Sequence, residues 1–135
     1  MNATDFNAAK RRVGRRRRQD VSSSPAPAPP VALTLIAAEY DTGTTIELTF
    51  DRAVDIAGIV VGDVSVNEGP ESIRYVGSGA ATLVTPTKVV IGLVEDGGQG
   101  APFITLTAGA GNGIVAVDDG GAWAGVTNLV LPFPA

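Results

Sequence analysis

Four carboxylate pairs stand out among the residues that could do chemistry: Asp51 with Asp55, Glu68 with Glu71, Glu95 with Asp96, and Asp118 with Asp119. Paired carboxylates perform acid–base work when their surroundings drive the two pKa values apart, and oxygen-rich loops suit hard cations such as Ca2+. The usual accompaniment is missing. The 135 residues contain no His, the commonest general base and transition-metal ligand, and no Cys, hence no thiolate and no disulfide framework. No H-E-x-x-H, G-x-S-x-G or P-loop motif occurs. "GAGNGIVAVDDGG", residues 109–121, carries glycines at a spacing loosely like a nucleotide fingerprint, but no helix pattern follows it. All four pairs fall in predicted turns, where carboxylates are solvated. Their expected roles are turn chemistry and solubilising charge. A weak Ca2+ site at Asp118/Asp119 or Glu95/Asp96 is the second reading and an active site the third. The sequence thus predicts no catalytic residue, no metal site and no cofactor.

The cations are distributed differently. Lys10, Arg11, Arg12, Arg15, Arg16, Arg17 and Arg18 stand against Asp5 and Asp20 in residues 1–20, a local +5. The other 115 residues hold Arg52, Arg74 and Lys88 against twelve carboxylates, a local −9. Such asymmetry assigns different work to the two parts. The basic arm, residues 1–20, has helix character: Asn2 or Thr4 can cap it, and Phe6, Ala9 and Val13 form a narrow apolar stripe. Gly14 interrupts it, and adjacent arginines repel, so the arm is expected to order, helical or extended, only against a partner. Phe6, Lys10, Arg11, Arg12, Val13 and Arg15 to Arg18 are the candidate partner-binding residues.

Residues 21–30, "VSSSPAPAPP", read as a linker. Alternating Pro and Ala favours polyproline II at ~3.1 Å per residue, so ten residues span ~30 Å. A spacer is expected; docking to an SH3-like partner is the lesser reading. The linker also separates the cationic run from the apolar "VALTLIAA", residues 31–38, so no cleaved secretory signal is expected. No apolar run approaches the ~20 residues of a membrane helix, and no membrane association is expected.

Residues 31–135 read as the folded body. "TTIELTF" places Ile46, Leu48 and Phe50 on one face, and "TKVVIGLV" does the same with Val89, Ile91 and Leu93. "VALTLIAAEY", "GIVVGDVSVN", "ESIRYVGS", "ATLVTP", "FITLTAG" and "VTNLVLPF" supply further strand signals, separated by Gly- and Pro-rich turns. No segment sustains a 3.6-residue period. The pattern predicts an all-β antiparallel sandwich of 7–8 strands with Greek-key connections. Val, Ile and Leu should fill its core, with Phe50 and Trp123 the largest plugs and Trp123 a lid over one end.

On three segments the body resembles bacterial Ig-like modules found in surface proteins and phage virion proteins. "TGTTIELTFDRAVD" (42–55) looks like their early strand and "GDVSVNEG" (62–69) like their next strand and turn. "ITLTAGAGNGIVAVDDGGAWAG" (104–125) is similar to their final stretch, although its loop reads "DDGGAW" without the family's Asn. The order of arm, Pro/Ala linker and single module also resembles tailed-phage head-decoration, minor capsid or neck accessory proteins. That resemblance implies a non-enzymatic virion structural protein, made in the host cytoplasm and present in many copies on the head or neck. Its arm would contact a major capsid, portal or neck protein, and its module, facing outward, possible host-surface glycans. Two alternatives stand beside it: a cellular Ig-like adhesion or spacer module, and an internal virion protein associated with nucleic acid. The arm suits an acidic protein surface better than nucleic acid. It has apolar residues to seat and no aromatic interleaving, and a −9 body repels DNA. An unbound solubilising tail is a further reading of the arm.

Overall fold

A computed structural model describes residues 28–98 and 102–134. These residues fold as an all-β body of antiparallel strands, with two short 3-10 turns, Val61–Asp63 and Gly69–Glu71, between them. The strands are β1 Leu35–Asp41, β2 Thr45–Phe50, β3 Val54–Asp55, β4 Val64–Glu68 and β5 Ile73–Gly77, then β6 Thr82–Thr85, β7 Lys88–Glu95, β8 Ile104–Ala108, β9 Val115–Ala116 and β10 Val126–Val130. Eight fall on the segments predicted from alternation. The described residues thus hold ten strands where seven or eight were expected. The additional pair, β3 and β9, has two residues per strand, too few for any periodicity to register.

Strand β7 organises the architecture. Its first half, Lys88 to Gly92, pairs with β2, which pairs in turn with β1, while β6 lies along the same half. Its second half, Leu93 to Glu95, pairs instead with β5. From there the ladder continues through β4 and β8 to β10. The handover falls at Gly92, where a bending strand needs least side-chain room.

The core lies between these two halves. Ile46, Leu48, Phe50, Val64, Val66, Val89, Ile91 and Leu106 are all buried, each side chain contributing about 1.5–3 kcal/mol of transfer free energy. Trp123 is buried at the edge of this cluster, its ring 5.2 Å from that of Phe50 and edge-on to it. This is the lid position expected from the sequence. The C-terminal segment then crosses from one sheet to the other. Leu131 donates to the Ile104 carbonyl at 2.9 Å, and Ala38 and Phe133 exchange backbone bonds at 2.6 and 3.0 Å. Part of the free edge of β1 is thereby covered. Among the described residues no helix is long and apolar enough to cross a membrane.

Candidate functional site

The strand directions give the body two distinct ends. Strands β1, β4, β7 and β10 run one way, β2, β5 and β8 the other. The start of β1, the end of β2 and the Pro86–Thr87 turn therefore lie together. The chain enters the body at this end. At the opposite end lie the 42–44 turn, the Gly69–Glu71 turn and residues 96–98, which follow β7.

At the entry end, Arg52 lies two residues past the end of β2 and has both backbone and carboxylate partners. Its Nη2 donates to the Val31 carbonyl at 2.5 Å and to Asp119 Oδ1 at 3.0 Å, and its Nε to Asp118 Oδ1 at 3.2 Å. Asp119 Oδ2 accepts the Val31 N–H at 2.9 Å, and Oδ1 also accepts the Gly121 N–H at 2.8 Å. Those two backbone donors, followed by Arg52, hold the Asp119 carboxyl down at about 2. Arg52 is in turn held more firmly protonated, chiefly by its bond to Asp119. Close approach here requires Gly121: a Cβ at that position would stand 1.8 Å from the Val31 carbonyl oxygen. Two residues on, the Leu33 N–H donates to the Ala122 carbonyl at 3.1 Å, and the Leu33 side chain is buried. Residues 31–33 are thus fastened along the 118–122 loop before β1 begins.

That loop is held from within by Asn112. Its side chain is fully buried, and Nδ2 donates to the carbonyls of Gly109 and Trp123 at 2.7 and 3.0 Å. Its Oδ1 accepts the Ile114 N–H at 2.9 Å. Sequence reasoning sought an Asn in "DDGGAW" and passed over this one, although an Asn flanked by glycines was the available signal.

At the far end, Tyr40 donates to Glu68 Oε2 at 2.5 Å and its hydroxyl accepts the Gly43 N–H at 2.7 Å. Tyr75 packs beside it, ring centroids 6.2 Å apart. Burial above all, then the bond to Glu68, pushes the Tyr40 hydroxyl pKa well above its ordinary value. Desolvation, followed by the nearby Glu68, Glu95 and Glu71, raises Tyr75.

Of the carboxylate pairs, only Asp118 with Asp119 shares one partner, Arg52. Asp51 accepts the Thr34 N–H and Asp55 the Ala57 N–H. Asp96 pairs with Arg74. Glu68 departs from the solvated turn expected of it: it ends β4 with its side chain largely buried against Tyr40. Asp118 and Asp119 face Arg52 where a Ca2+ loop was the second reading, and among the described residues no group of three or more His, Cys, Asp or Glu could hold a metal ion. The candidate arm residues Phe6, Lys10, Arg11, Arg12, Val13 and Arg15 to Arg18 lie outside the described residues. Comparison with family models, curated proteins and solved structures finds no match.

Proposed function

We propose that this chain is a non-enzymatic structural protein of a tailed-phage particle, anchored by its Arg-rich arm to a head or neck assembly and displaying an Ig-like module outward. The observation that carries the reading is the polarity of the body. The linker joins at the end clamped by Arg52, and the 42–44 and 69–71 turns and residues 96–98 lie at the other. A module anchored through its N-terminus would present those loops away from its support. Strand order supports the Ig-like assignment: β1-β2-β7-β6 and β10-β8-β4-β5 follow the ABED and GFC arrangement of that fold, with β5 as an added C′ strand. The arm's +5 charge and apolar stripe fit an acidic protein surface.

Deleting residues 1–20 tests the reading. Loss of incorporation into particles, with the body's β circular dichroism and melting unchanged, supports it; unchanged incorporation overturns it. Titration with duplex DNA at two salt concentrations tests the nucleic-acid alternative, which requires stronger, salt-sensitive binding by the whole chain than by the arm-deleted one.

A further inference from the structure

The solvent face of β1 and β2 carries an arrangement the fold itself does not need. Glu39 and Glu47 sit directly opposite each other in the ladder, with Asp41 opposite Thr45 two pairs further along, on the same face. Like charges directly opposite destabilise a sheet. Lys88 approaches Glu47 at 3.5 Å, but among the described residues neither Glu39 nor Asp41 has an ion-pair partner. These carboxylates form the floor of a trough whose wall is the C-terminal segment. One cavity of about 400 Å³ runs between Glu39, Asp41 and Glu47 and the apolar Ile104, Leu131 and Pro132. A second, of about 280 Å³, shares Glu39, Glu47 and Pro132 and continues to Phe133. From Ala37 to Thr42 the trough is ~17 Å long, room for about five extended residues.

We infer that this trough receives the arginine-rich segment Arg15–Arg18 of a second copy of the chain, linking copies head to tail. The carboxylate floor pairs with guanidinium groups, and the apolar wall covers their aliphatic stems. Charge complementarity identifies the occupant: seven of the chain's ten cations lie in the arm. The sequence of the linker favours a neighbour over the same chain. Ten residues that prefer extension resist the doubling back over β1 by which an arm would have to reach the trough of its own body, which begins six residues beyond Val31. Such a contact is heterologous, so it propagates along an array of copies. The inference rests on the proposed role of the arm as an anchor and adds a second acidic surface for it to hold.

Sedimentation velocity of the full chain at low and high salt provides the test. Wild-type protein should self-associate at low salt and dissociate at high salt. The Glu39→Gln/Glu47→Gln variant should associate at least about tenfold more weakly without a lower melting temperature. Charge reversal supplies the control for folding. Arg16→Glu/Arg17→Glu and Glu39→Lys/Glu47→Lys should each be monomeric alone and associate when mixed. A wild-type chain that stays monomeric at low salt, a Gln variant that associates like wild type, or an inert mixture overturns the inference. Particle incorporation, measured in parallel, separates this outcome from anchoring: incorporation lost only on deleting residues 1–20, with no self-association at any salt, sinks the trough and leaves the anchor.

Discussion

Arg52 Nη2 lies 3.0 Å from Asp119 Oδ1, sixty-seven residues away in sequence, and the same nitrogen holds the Val31 carbonyl. Two carboxylates and a guanidinium that composition alone marks as scattered surface charge are in fact the fastening of the chain's entry into the body. Ion pairs this exposed add little to global stability, so the consequence is local. Arg52→Gln should leave exchange protection of the core amides of Ile46, Leu48 and Ile91 unchanged while accelerating exchange at Val31 and Leu33. Unaltered exchange at those two amides would show that the strap holds without Arg52.

Gly121→Ala provides an orthogonal route to the same end. The added methyl collides with the Val31 carbonyl at 1.8 Å and crowds Arg52 Nη2 at 2.9 Å, so the strap must move and the guanidinium with it, while both side chains of the ion pair remain present. Limited proteolysis should cut between residues 28 and 34 faster in this variant, with the remainder resistant.

The pH dependence follows from the sign of the Asp119 shift. Its carboxyl titrates at about 2 in the folded body against an ordinary 3.8. Its contribution is therefore fully present above the ordinary value, declines as pH falls below it, and is gone once pH passes below the folded value. A carbon-detected NMR titration should place the Asp119 midpoint near 2, with the Val31 and Gly121 amide shifts following it. A midpoint at or above 3.8 would contradict the geometry.

At the alkaline side the two tyrosines are the probe, since the chain contains only Tyr40 and Tyr75. Both are raised above the ordinary 10.0. Absorbance at the tyrosinate band should stay flat through pH ~10 and rise only above it, with unfolding accompanying the Tyr40 step because the neutral hydroxyl is the form that donates to Glu68. Tyr40→Phe leaves the Gly43 N–H and a largely buried Glu68 oxygen without that hydroxyl, at a cost of about 1–3 kcal/mol in chemical denaturation.

Asn112→Ala removes three hydrogen bonds from a fully buried site and opens a small void. The expected loss is about 2–4 kcal/mol, accompanied by a red-shifted Trp123 emission as the loop carrying it loosens. A loss under ~0.5 kcal/mol would mean the loop is held by other contacts.

Much of this fold was legible because alternation acts within one strand. Ile46, Leu48 and Phe50 show their buried face without knowledge of any neighbour, and so do Val89, Ile91 and Leu93. Glu68 was misread because its position after Asn67 and before "GP" looks like a turn. Its burial is decided by Tyr40, twenty-eight residues upstream in a different strand. The Arg52 fastening was equally illegible, since it joins residues 31, 52, 118 and 119 through pairings that exist only once both sheets are assembled. Asn112 was available as a turn residue, but nothing local says that its amide faces inward.

The entry through Val31 into β1 also fixes how the body meets a pull. Tension drawn from the linker toward the far loops runs along β1, whose bonds to β2 and to Phe133 lie across that line. Those bonds are loaded together, in sliding, rather than one after another, in peeling.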